Sequence, residues 1–410
     1  MSSMSITTAS HVYTDNRPAA EQDDAKVSII PENTEVKCSG KYFLSKKTPF
    51  DYADDDLLFQ DGTGVDFFNG EDWMRFLNKE TFSFTPKNIL DIGDELEYGT
   101  DYYIYLCFSG IKPELCISKN ATYPTGFSSL TSRKIGFFHY GTVRKVSDDG
   151  RWIPIDSNGN KFGTQGTTWQ QNVTKGVLPN SIGDLKNRPR VYIPGMARIG
   201  NSWVCIYEMS IKEQVTFMDG VKGLPVTNGT LKSAYGAIPA TGTEGLNQYN
   251  FNELARMQGL RLTHYAEWLS AAFGSPQGLD NSDNYGWTKT GNTARTFTGC
   301  SIDISNGQYS INGTKSYAVS AYNICDCAGN VWEWQDDYCI RQDSTSWGWY
   351  NVLGANQGQA YLPNSIGLTA FICGGYWGGG LHCGPRCVHL SNYPWYVHAS
   401  IGARFACDAA

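Results

Sequence analysis

The residues able to do chemistry are few, and they gather near one end of the chain. Only six histidines occur in 410 residues: His11, His139, His264, His382, His389 and His398. His382-Cys383 and Cys387-x-His389 put two imidazoles and two thiols within eight residues, a donor set that zinc accepts. Their spacing fits no finger or ribbon, so the preferred reading is of side chains that populate a diverse surface, and no metal site is assigned. Cys325-x-Cys327 would share one face of a strand. Two packed thiols are the preferred reading there, a strained redox pair the alternative. Asp54, Asp55 and Asp56 lack the spaced carboxylates of a calcium loop and read as a solvated turn. There is no G-x-S-x-G elbow and no P-loop. Gly374, Gly375, Gly378, Gly379 and Gly380 do not lie between a strand and a helix start, so they form no dinucleotide fingerprint. No catalytic residue and no cofactor are implied.

What stands out instead is a composition. The window Tyr376–Ile401 reads YWGGGLHCGPRCVHLSNYPWYVHASI. It holds three of the six histidines, two Trp and three Tyr, and Arg386 is its one charged residue. Aromatic rings supply contact area at low entropic cost, and Ser, Gly, Asn and His supply adaptable hydrogen bonds. A buried strand pair would be richer in Val, Ile and Leu. The window therefore reads as a binding surface.

The elements that must hold this surface are mostly strands. Charged residues are 18% of the chain and aromatics 13%, with 44 Gly, which excludes disorder and favours strands and turns over long helices. The net charge of −7 and the lack of a Lys/Arg block argue against nucleic acid. No apolar run is long enough to span a membrane. The first residues, MSSMSITTASHVYTD, do not resemble a secretory signal. The 12 cysteines are spread out and are expected to be buried or idle thiols in a protein folded in a reducing cytoplasm.

The expected organisation is an N-terminal arm at 1–25, an antiparallel β-sandwich at 26–155, a Gly/Asn/Thr-rich connector at 156–186 and an α+β domain at 187–410. Val27, Ile29, Val36, Tyr42 and Leu44 fall in short alternating runs. Thr100–Cys107 and Lys134–Tyr140 are strong strand signals, and Tyr123-Pro124-Thr125-Gly126 is a turn. Two helices are expected, Asn252–Gly259 and Tyr265–Phe273. The second would be capped by Thr263, would bury Ala266, Leu269 and Phe273, and would be closed by Gly274. A short Trp-rich strand is expected at Val331–Trp334. Of the four N-x-[ST] sites, Asn228-Gly229 and Asn312-Gly313 read as hairpin turns.

Arg261-Leu262-Thr263 through Glu267-Trp268-Leu269, Gly-Asn-Val-Trp-Glu-Trp at 329–334 and Ile401-Gly402-Ala403-Arg404 resemble the formylglycine-generating-enzyme branch of the C-type lectin fold. Within it the chain is similar to the variable proteins of diversity-generating retroelements, of the major-tropism-determinant type. GTDYYIYLC at 99–107, PTGFSSLTSRKIGFFHY at 124–140 and NSIGDLKNRP at 180–189 extend the likeness upstream.

The resemblance implies a C-terminal C-type lectin fold preceded by an antiparallel β-sandwich. It implies a non-enzymatic receptor-binding protein, a phage tropism determinant, at a virion's tail-fibre tip or alternatively on a cell surface. The partner would be a host-cell surface protein or glycan. A homo-oligomer is implied, with a trimer left open because residues 1–25 hold no counterpart of the family's N-terminal β-prism. The family varies Asn codons at template adenines, which cannot yield Lys, Glu, Gln, Met or Trp, and the window lacks the first four. The ligand-binding, varied positions would be Tyr376, Gly378, Gly379, Gly380, His382, His389, Ser391, Asn392, Tyr396, His398, Ser400 and Ile401. Trp377, Trp395, Trp332, Trp334 and Arg404 would be scaffold. Long aromatic-rich residues 41–95, with Phe67, Phe68, Trp73 and Phe76, would offer an assembly surface. A formylglycine-generating-type oxidase needs a reactive cysteine near Leu381, where Cys383 and Cys387 do not fall. An invariant structural virion protein is the third reading.

Overall fold

A computed structural model describes residues 56–68, 71–110, 112–144, 175–275, 294–299, 319–340, 348–350, 359–361, 367–379 and 382–410. The backbone of short strands is also described at 36–37, 43–44, 50–53, 155–156, 169–170, 173–174, 310–311, 314–315 and 362. The expectations for residues 1–25, Val27, Ile29, Tyr42 and Gly380 lie outside the described residues. The chain divides into two compact units: 1–140 with 181–188 and 410, and 141–180 with 189–409.

The first unit is built from antiparallel strands. Gly64–Phe68 pairs with Phe43–Leu44 on one side and with Trp73–Leu77 on the other. Asp56–Phe59 lies between Phe50–Ala53 and Phe82–Phe84. Thr100–Phe108 lies between Pro113–Ser118 and the strand that begins at Ser132. Residues Tyr102–Cys107 are buried without interruption, so this strand is covered on both faces. Tyr102 stacks on Phe138 with centroids 5.6 Å apart. The turn at Pro124 closes through Phe127 N–H on the Pro124 carbonyl, and Gly126 takes the positive φ that such a turn demands.

Two expectations change here. Phe67 and Phe76 are core residues, 0% and 5% exposed, because they alternate inward on paired strands, so they offer no assembly surface. Asp56 opens a strand and accepts hydrogen bonds from Ser83 and Thr85 hydroxyls at 2.9 and 2.7 Å. It is therefore not part of a freely solvated turn.

The second unit carries the two described α-helices, α1 (Gln248–Met257) and α2 (Tyr265–Ala271). Helix α1 starts four residues earlier than expected. Asn247 accepts from the Asn250 N–H while Asn250 accepts from the Asn247 N–H, a reciprocal cap that brings the polar first turn into the helix. Helix α2 is anchored from outside its own sequence. Its first N–H, on Tyr265, donates to the Asp337 carboxylate at 2.6 Å. Thr263 donates to Gln335 instead of capping. The buried face of α2 is Trp268, Ala271 and Ala272, whereas Phe273 is 51% exposed. Gly274 does end it, with φ +78°.

Around these helices lie two sheets and a hairpin. Met196–Ile199, Ser202–Cys205, Phe405–Asp408 and Arg261–Leu262 form one sheet in that order. The other runs Gly348–Tyr350, Ala360–Leu362, Gly384–Asn392, Leu368–Gly374, Trp332–Ile340, Ile401–Ala403. The Trp-rich strand is thus longer than expected, because Asp336 and Asp337 are absorbed as hydrogen-bond acceptors for Asn252 and Tyr265. Asn228-Gly229 is not a hairpin turn. It sits inside the Val226–Ser233 strand, where the register slips against Met209–Phe217 and Gly229 adopts φ +139°. At the other site, Ile311 pairs with Thr314 across the antiparallel strands that flank Asn312-Gly313. Trp203, Trp268, Trp334, Tyr207 and Phe251 are among the largest fully buried side chains of this unit. Among the described residues no helix is long and apolar enough to cross a membrane.

Candidate ligand-binding face

The centre of the second unit is a buried ion pair. Arg404 and Glu333 are both 0% exposed and meet through two hydrogen bonds of 2.9 and 3.0 Å. The remaining guanidinium hydrogens go to the carbonyls of Cys205, Ile206 and Cys325. The Trp268 indole N–H donates to the same Glu333 carboxylate at 3.0 Å. One pair thereby ties both sheets, helix α2 and the 325–327 segment together. It also sets the parallel pairing of Trp332, Glu333 and Trp334 with Ile401, Gly402 and Ala403.

This frame holds the 374–401 segment by its main chain. Trp377 N–H donates to the Asn330 carbonyl, Gly329 N–H to Gly374, Gln248 N–H to Pro394, Gly242 N–H to His398 and Trp332 N–H to Ser400, at 2.8–3.0 Å. None of these bonds uses a side chain of the window. Asn330 is itself fixed by Glu208 and by the Thr296 N–H. Thr241 and Glu244, beside Gly242, are clamped by Arg295.

Side chains project from that backbone with different exposures. Tyr396 and His398 are exposed and stack on each other, centroids 5.5 Å apart. Gly378 is exposed. Tyr376, Ser391 and Asn392 are half-buried. His382 lies flat on Trp349 at 3.9 Å, and His389 flat on Tyr361 at 4.5 Å. Trp349 also stacks on the buried Trp332, so a ladder of five rings underlies this part of the face. Gly379, Ser400 and Ile401 are buried, the last two 4% and 2% exposed. Among the expected scaffold residues, Trp332, Trp334 and Arg404 are buried and Trp377 is half-buried, edge-on to Tyr376. Trp395 is 53% exposed, with one face covered by Tyr393 at 5.1 Å. Trp349 and Tyr361 lie outside the window and were not expected at the face. Only the run of alternating aromatics around them hinted at it.

The thiols of this segment lie beneath the surface rather than on it. Cys383 and Cys387 are fully buried, and burial pushes the Cys383 thiol well above its ordinary pKa. Cys325 and Cys327 are both buried. Among the described residues no group of three or more His, Cys, Asp or Glu side chains is placed to hold a metal ion.

Burial, with the neighbouring His382 as a lesser cause, lowers the His389 pKa to about 4. An unfolded imidazole takes its proton near pH 6.5, so between these values the folded chain binds fewer protons than the unfolded one. Stability present above pH 6.5 is lost as pH falls toward 4. The urea midpoint is expected to drop between pH 7 and pH 5, and His389→Gln to flatten that dependence.

Gly242 makes a second measurable point. A side-chain carbon there would stand 2.6 Å from the carbonyl carbon and oxygen of His398. Gly242→Ala is expected to displace the 394–400 loop and to cost about 1–3 kcal/mol by overpacking, measured by thermal unfolding.

A sheet-and-helix frame with its C-terminal segment pinned by main-chain bonds is the C-type lectin fold. Residues 56–170 match the Mtd second domain family, and residues 214–409 match the sulfatase-modifying factor enzyme 1-like domain family. The tail fiber receptor-binding protein of Bordetella phage BPP-1 is 28% identical over 350 residues, covering 81% of this chain and 77% of that protein. The solved M1 variant of the Major Tropism Determinant superposes with a TM-score of 0.60 at 23% identity, over 90% of this chain and 86% of that one. The U1 variant gives 0.59 at 21%, with the same coverage. Over most of its length the chain is similar to the major tropism determinants, with a match to the Mtd second domain followed by a lectin-fold unit.

Proposed function

We propose that this chain is the receptor-binding protein of a phage tail fibre, and that the face carried by residues 376–401 meets a protein or glycan on the host cell. The observation that carries this is the main-chain pinning of the segment, which leaves its side chains free to differ without loss of the backbone. The relative that binds a receptor at a tail fibre supports it. In this reading the protein is not an enzyme, acts on the virion and works as a homo-oligomer. Its binding residues are the expected varied positions that reach solvent, Tyr376, Gly378, His382, His389, Ser391, Asn392, Tyr396 and His398, with Trp395 exposed beside them. Their variety would arise from adenine-directed mutagenesis by a retroelement. An oxidase needs an accessible thiolate, and the full burial of Cys383 and Cys387 speaks against one.

Sequencing the 3′ end of the gene and its flanks in sister genomes tests this. The expected result is a near-copy of the codons for 370–405 beside a reverse transcriptase gene, with adenines wherever the copies differ. An invariant window without such a copy would remove the diversified face.

A further inference from the structure

The turn at 375–379 closes over one sulfur atom. Cys383 is fully buried, and its S–H donates to the Tyr376 carbonyl at 3.2 Å. A side-chain carbon at Gly379 would stand 2.6 Å from that sulfur and 3.2 Å from the Tyr376 carbonyl oxygen. The same sulfur blocks Gly375, which also holds φ +89°. Gly379 has no such φ, so what stands in the way of a side chain there is first the sulfur, with the Tyr376 carbonyl oxygen a lesser, tight contact. At the exposed neighbour, Gly378, the nearest atoms a side chain would meet are those of the half-buried Tyr376 ring, at 3.1–3.2 Å, the far end of a side chain rather than backbone or a buried sulfur.

We infer that Cys383 is a specificity-determining residue of the binding face: its thiol closes position 379 to side chains and seats the turn that presents Tyr376. Position 379 is then a member of the varied set that cannot vary while residue 383 is cysteine. Variation there requires a smaller residue beneath it. The consequence for ligand choice rests on the function proposed above. The steric coupling does not, and it can be measured without a ligand.

The experiment compares the thermal midpoints of full-length parent, Gly379→Ala, Gly378→Ala, Cys383→Ala and the Gly379→Ala/Cys383→Ala pair. Gly379→Ala is expected to lower the midpoint by about 3 °C or more, and Gly378→Ala to leave it in place. The pair is expected to match Cys383→Ala alone, a non-additive rescue. Gly379→Ala as stable as the parent would overturn the inference. So would a pair that is merely additive or fails to fold. If the coupling holds but sister genomes show an invariant window, the diversified-face reading fails and the steric relation stands.

Discussion

Arg404→Met is expected to destabilise the lectin-fold unit by about 3–5 kcal/mol. The substitution keeps most of the aliphatic bulk and removes every donor. Glu333 would then be a carboxylate with 0% exposure whose remaining side-chain donor is the Trp268 indole N–H. Three buried carbonyls, of Cys205, Ile206 and Cys325, would lose their partner at the same time. Each unpaired buried polar group adds its own desolvation cost. Tryptophan fluorescence in a urea titration reports the loss, since Trp203, Trp268 and Trp334 all lie in this core. Pairing Arg404→Met with Glu333→Leu should recover much of it, because removing both partners leaves no stranded charge. A single variant as stable as the parent would show that the pair is not the centre of the frame.

Tyr396→Ala is expected to weaken attachment of the purified protein to susceptible cells by about 10–30-fold, with no change in thermal midpoint. The ring is 41% exposed and touches His398, so its removal opens no cavity. Trp395→Ala is the informative companion. A scaffold tryptophan would lower stability when truncated. An indole 53% exposed, with only one face on Tyr393, should instead lower attachment. Full attachment by both variants would move the binding face elsewhere.

Some of this molecule was legible before any coordinates. The Thr100–Cys107 strand and helix α2 carry strong local patterns, and Gly274 and the Pro124 turn need backbone conformations that few residues adopt. What stayed hidden depends on contacts between residues distant in sequence. Helix α2 donates its first N–H to the Asp337 carboxylate, 72 residues away, so Thr263 looked like the cap. The Trp-rich strand was expected only to Trp334, and it continues through Asp336 and Asp337 because those carboxylates find partners in Asn252 and Tyr265. At the face, composition marked the window but not which way its side chains point. Ser400 and Ile401 lie two and three residues after the exposed His398, yet pairing with Trp332 turns them inward. Trp395 looked fixed from codon arithmetic and reaches solvent nonetheless.

The five main-chain bonds that pin the 374–401 segment also bear on the time course of recognition. A backbone fixed before contact adds no folding step to an encounter, so on the function proposed above collision and docking should proceed alike for every set of side chains carried on it. Rival versions of the face would then arrive at a cell surface equally fast and differ in residence time. Selection among them would act on how long a particle stays attached.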